Sequence, residues 1–153
     1  MTAGTTTKKA HAMGMNHVAL EVGDIDEAIA FYGGFLEFSL RSRSATMAFI
    51  DMGDQFLALS APRHDGPDTD RHFGLVVDDK EAVRQCLADM GVALLPGGGI
   101  DFLDPWGNRI QIVTYQNIQF TKAPNVLRGM GLGDIEKTPA ALEELARKGM
   151  GSE

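Results

Sequence analysis

The chain sets out a pattern near its start and repeats it about 54 residues later. Asn16-His17-Val18-Ala19-Leu20 aligns with Arg71-His72-Phe73-Gly74-Leu75 at an offset of 55. Glu27-Ala28-Ile29 aligns with Glu81-Ala82-Val83 at 54, and Leu57-Ala58-Leu59 with Ile110-Gln111-Ile112 at 53. Identity between the halves is low, so the order and spacing of the matches carry the inference. Three elements repeated in order at near-constant offset predict a duplicated supersecondary unit.

Within the first unit, residues 14–62, Val18, Leu20 and Val22 alternate with His17, Ala19 and Glu21, which is strand period. Asp24 or Asp26 can cap a helix through Ile25, Ala28, Ile29 and Tyr32, ended at Gly33 and Gly34. Strand-like runs follow at 38–43, 45–52 and 55–61, joined by turns short enough for hairpins. In the second unit, residues 71–115, the pattern predicts a strand at 71–79 and an amphipathic helix at 80–91 carrying Ala82, Val83, Cys86, Leu87 and Met90. Strands are expected at Val92–Pro96, Ile100–Asp104 and Arg109–Tyr115, with a dense turn signal in Asp104-Pro105-Trp106-Gly107-Asn108. The fold class is therefore α+β: paired βαβββ modules whose curved sheets surround one cup-shaped pocket, plus a C-terminal helical tail.

Residues 63–70, with a proline, a glycine and several charges but no apolar period, read as the linker between modules. Residues 116–153 read as a glycine-rich loop followed by a helix capped by Thr138, with Pro139 at its first position and Gly149 at its end. Gly129, Gly131 and Gly133 follow no strand, which argues against a phosphate-binding loop. Residues 1–13 read as a disordered lead-in: Lys8 and Lys9 precede no apolar run of the secretory kind, so a cytoplasmic setting is expected. The formal charge of −7 and pI near 5.0 argue against a nucleic-acid partner. No apolar run reaches the length of a membrane span. The single cysteine, Cys86, rules out an intramolecular disulfide and reads as a small buried apolar side chain.

Alternation places His17, Ala19 and Glu21 on one strand face, and His72, Gly74 and Val76 on the matching face of the other unit. The last strand of each unit adds Phe56, Ala58 and Ser60, or Gln111, Val113 and Tyr115. Both histidines thus point away from the helix layer. Segments NHVALEV, DIDEAIAFYGGFLEF, RHFGLVVDD and DPWGNRIQIVTY, spanning roughly residues 15–115, resemble in order the vicinal oxygen chelate superfamily, which includes glyoxalase, bleomycin-resistance protein and extradiol dioxygenase. The resemblance implies paired modules forming a metal or ligand cup, and makes a homodimer the expected assembly. Carried over, its metal-ligand positions are His17, Ala58, His72 and Gln111. Ala58 has no donor atom, and Gln111 stands where glutamate is usual. What remains is a degenerate site of two imidazoles and one amide, expected to hold Fe, Mn, Ni or Zn more weakly than a set containing a carboxylate.

Two functions follow. One is a metal-dependent lyase, isomerase or dioxygenase acting on a small oxygen-containing molecule. The other is metal-free sequestration of a flat molecule by an apolar cup lined by Met47, Phe49, Phe56, Phe102 and Val113, with Glu21, Ala58 and Tyr115 beside them. A one-residue shift in the face assignment would exchange this set. Arg41, Arg43 and Arg109 could meet an anionic ligand, although strand arginines usually face solvent. Trp106 reads as surface packing, Phe31 and Tyr32 as core.

Overall fold

Both halves of the computed structural model, which describes residues 15–151, begin with a short strand followed by an aspartate-capped helix. The expected lead-in lies outside the described residues. Strand β1 (His17–Glu21) leads to α1 (Ile25–Gly33), where the Asp24 side chain accepts from Glu27 N at 2.8 Å. Strand β5 (Phe73–Val77) leads to α2 (Lys80–Asp89), where Asp79 accepts from Ala82 N at 3.1 Å. The two caps are themselves 55 residues apart, so the repeat extends to the groups that satisfy the first helical N–H donors.

The first half continues through β2 (Leu40–Arg43), β3 (Met47–Asp51) and β4 (Phe56–Ser60), giving a four-stranded sheet in the order β1-β4-β3-β2. The second continues through β6 (Ile100–Leu103) and β7 (Arg109–Thr114), in the order β5-β7-β6. In both, the first and last strands pair in parallel, with Ala19 beside Ala58 and Gly74 beside Gln111.

The strand expected at Val92–Pro96 does not form, so the second sheet has three strands. One backbone bond survives there, Leu95 N to Asp101 O at 2.7 Å. Pro96 offers no further N–H, and Gly97 and Gly98, at φ 136° and 79°, turn the chain away from the ladder. The first β2 residues also fall short of expectation, with pairing beginning at Leu40.

Each sheet turns one face to its helix and leaves the other open. Leu20, Ala48, Ile50, Leu57 and Leu59 of the first half and Leu75, Val77, Ile100, Phe102, Ile110 and Ile112 of the second join α1 and α2 in one continuous core. Each fully buried large side chain contributes about 1.5–3 kcal/mol. Cys86 is half-buried against this core.

The tail is more ordered than its glycine content suggests. A 3-10 turn at Tyr115–Asn117 precedes α3 (Pro124–Gly129) and α4 (Pro139–Arg147). Lys122 Nζ reaches back to Met52 O at 2.9 Å and to the Asp54 carboxylate, tying α3 to the β3–β4 turn. Among the described residues no helix is long and apolar enough to cross a membrane.

Candidate functional site: two open sheet faces and the seam between modules

The seam is built by residues far apart in sequence. The turn after β6 folds over its own Asp104, whose Oδ1 accepts from Trp106 N and Asn108 N at 3.0 and 2.9 Å. Asp104 Oδ2 accepts from Tyr32 Oη at 2.9 Å, linking that turn to α1 of the other module. Burial, then the Asp104 charge and hydrogen bond, hold the Tyr32 phenol well above its ordinary pKa. Asn108 Nδ2 donates to Glu21 O at 2.8 Å, and Arg63 donates to Asn108 and to Gly66 O. Trp106, expected at the surface, instead lies against Gly23 so closely that a Cβ there would sit 2.0 Å from its Nε1. Only glycine at position 23 admits that contact.

Along this seam lies a cavity of about 470 Å³, lined by Val18–Glu21, Phe73 and polar side chains including Arg63, Asp68, His72 and Arg109. Burial alone would raise the Asp68 pKa, but hydrogen bonds from Arg71 and Arg109 N and the nearby guanidinium charges hold it below the usual carboxylate value. Linker composition gives no sign that the Arg63 and Asp68 side chains would be largely covered here.

His72 immediately precedes β5 and lines this cavity; His17 begins β1 and does not line it. Glu21, at the other end of β1 (about 13 Å from His17 at strand rise), lines the cavity with His72. His72 Nδ1 is 2.8 Å from Asp70 O and His17 Nδ1 is 3.0 Å from Asn16 Oδ1. Since those oxygens accept, each neutral imidazole presents Nε2 as its lone pair.

His17 stacks on Phe56, with ring centroids 4.7 Å apart and planes 10° apart. Phe49 meets Phe56 edge-on at 5.4 Å. Ala58, buried between Ala19 and Phe49 in the ladder, forms the floor of this open face. On the second sheet Gln111 lies between Gly74 and Asp101, with Val113 two residues on.

Two of the residues expected to line the pocket lie elsewhere. Phe102 is fully buried on the helix side, edge-on to Phe35 at 5.3 Å, because Ile100 and Phe102 face the core while Asp101 and Leu103 face outward. Tyr115 has left the strand for the 3-10 turn and is buried beneath the tail, with Lys137 Nζ 3.6 Å from its ring centroid. Met47, at the start of β3, is exposed.

Among the described residues no group of three or more His, Cys, Asp or Glu is placed to hold a metal ion. The carboxylate beside Gln111, Asp101, pairs with Arg109 at 2.7 Å. His17, His72 and Gln111 bring no negative charge, and one chain divides them between its two sheets. A single protomer therefore does not fit a divalent centre.

A family model described as Glyoxalase/Bleomycin resistance protein/Dioxygenase superfamily matches residues 14–112. Among curated proteins, the chain is 27% identical over 110 residues to "Glutathione transferase FosA" of Serratia marcescens, covering 64% of this chain and 78% of that one. It is 26% identical over 114 residues to "Metallothiol transferase FosB" of Staphylococcus epidermidis, covering 65% and 80%. The fold is similar to the fosfomycin resistance protein FosX of Listeria monocytogenes, with TM-score 0.57, 16% identity and coverage of 68% and 94%. It is also similar to lactoylglutathione lyase of Agrobacterium tumefaciens, with TM-score 0.52, 21% identity and coverage of 69% and 96%.

Proposed function

The chain belongs to the glyoxalase/bleomycin resistance protein/dioxygenase superfamily, and from that premise we propose that it binds a small oxygen-containing molecule on its open sheet faces, with a degenerate metal site. One observation carries the proposal: the His17–Phe56–Phe49 cluster over Ala58 offers stacking surface and an imidazole lone pair where a metal-binding carboxylate is missing. A flat molecule can stack there and hydrogen-bond to His17 without an ion. Nuclear magnetic resonance mapping with a small aromatic library in the presence of chelator tests this. Shifts confined to His17, Phe49 and Phe56 are expected. No shifts on this face would overturn the proposal.

A second reading has support of its own. Both imidazoles present Nε2, and two relatives are named as a glutathione transferase and a metallothiol transferase. In a homodimer, His17 of one protomer could join His72 and Gln111 of the other to hold Fe, Mn, Ni or Zn, which would polarise the oxygens of a bound molecule. Plasma mass spectrometry on untagged protein beside a His17→Ala/His72→Ala variant separates the readings. Near-stoichiometric metal lost in the variant favours the enzyme; metal-free protein that takes up no added ion sinks it.

A further inference from the structure

The ligand face of the first sheet carries a cation that the fold does not neutralise. Six of the eight arginines pair with carboxylates: Arg43, Arg63, Arg71, Arg84, Arg109 and Arg147. Arg41 and Arg128 pair with none among the described residues, and of the two only Arg41 lies on this sheet, in a chain with 21 acidic against 14 basic side chains. Asp51, in the ladder row with Phe56, accepts from Gly53 N at 2.7 Å instead.

Its placement is specific. The β2–β3 register slips between Leu40 and Ser42, leaving Arg41 as the extra residue of a bulge. Bulges re-aim a side chain out of the strand's alternation. Because β3 lies between β2 and β4, Arg41 must cross β3 to put its guanidinium carbon 4.8 Å from the Phe56 ring centroid. His17 stacks on that same ring. The two groups flanking Phe56 are thus an imidazole and a planar fork of donors suited to an oxyanion.

We propose that Arg41 is the anion anchor of this face, selecting ligands with a flat apolar body and one oxyanion, carboxylate or phosphonate. The inference rests on the open face being the ligand site. The flat body packs on Phe49 and the free edge of Phe56, whose faces His17 and Arg41 already flank, while the oxyanion receives hydrogen bonds from the exposed guanidinium.

Benzoate and phenylphosphonate, with neutral benzyl alcohol as control, are titrated into wild type, Arg41→Ala and Arg41→Lys while the His17 and Phe56 resonances are followed. Arg41 is exposed, so thermal melts are expected to show all three folded. Both anions should bind wild type more tightly than the alcohol. Arg41→Ala should weaken them roughly tenfold, the size of one lost charge-assisted hydrogen bond. Arg41→Lys should retain part of that affinity, with benzyl alcohol unaffected throughout. Anions binding no better than the alcohol, or equally to Arg41→Ala, would overturn the anchor and leave the open-face reading standing. If none of the three probes moves His17 or Phe56, the anchor and the open-face reading both fall.

Discussion

Tyr32 and Asp104 are 72 positions apart, yet the phenol donates to the carboxylate at 2.9 Å inside the core and joins the two modules. Tyr32→Phe leaves Asp104 Oδ2 with Asn108 alone, so a loss of about 1–3 kcal/mol in chemical denaturation is expected. Alkaline pH supplies a second test. The folded phenol's pKa is raised, by burial first and by Asp104 second, so the unfolded chain ionises earlier. The Tyr32 contribution is then complete below the ordinary phenol value and declines as pH rises beyond it. Tyr32→Phe should flatten the alkaline fall in stability; an unchanged slope would show that the fall arises elsewhere.

Gly23 and Trp106 form the second contact across the seam. Gly23→Ala drives a methyl into the indole, for an expected loss of about 1–3 kcal/mol from overpacking. Trp106 is the only tryptophan, so its fluorescence reports the displacement directly. Gly23→Ala combined with Trp106→Phe should lose less than the sum of the two single variants.

These contacts mark the boundary of what the sequence discloses. The helix faces through Ala28 and Val83 and the cap offered by Asp24 or Asp26 depend on local period, and the duplicated spacing makes them legible; the parallel pairing of first and last strands joins distant residues, which period does not disclose. A shift of one residue exchanges the faces of β6, and Ile100-Asp101-Phe102-Leu103 has apolar residues on both parities, so its sequence does not decide that Phe102 faces the core. Val92–Pro96 has strand composition, but Pro96 lacks an N–H and the glycines after it turn the chain away from the ladder. His17 and His72 hold matching places in the repeat, yet equivalence under duplication is not proximity: β1 meets the seam cavity through Val18–Glu21, leaving His17 outside. Arg63 and Asp68 sit in a segment whose composition signals a loop and nothing about what the loop covers.

The tail is held by a lysine that pairs with no carboxylate among the described residues. Lys137 Nζ donates to Tyr115 O at 2.6 Å, Ile118 O at 2.8 Å and Phe120 O. Lys137→Met would leave those carbonyls without their shared donor, and hydrogen exchange across residues 116–137 should quicken. Burial lowers the Lys137 pKa, so near the ordinary lysine value the unfolded chain holds the proton that the folded chain releases. Wild-type stability should therefore rise with pH there relative to Lys137→Met. A difference independent of pH would show that Lys137 titrates alike in both states.

Gln111→Glu probes the degenerate site through stability rather than turnover. Gln111 is paired across the ladder with Asp101, whose Oδ1 is buried without a hydrogen-bond partner. A carboxylate at position 111 would face a second one directly, a destabilising arrangement of like charges that the Arg109–Asp101 pair offsets only in part. Without metal the variant should therefore melt below wild type. If His72 and position 111 share a metal centre, Mn(II) or Zn(II) should restore or exceed the wild-type midpoint, because the cation neutralises the repulsion and gains the charge that glutamine denies it. Adding His72→Ala should abolish that rescue. If the ions leave the Gln111→Glu midpoint unchanged, residue 111 takes no part in metal binding, and the face it occupies is a binding surface alone.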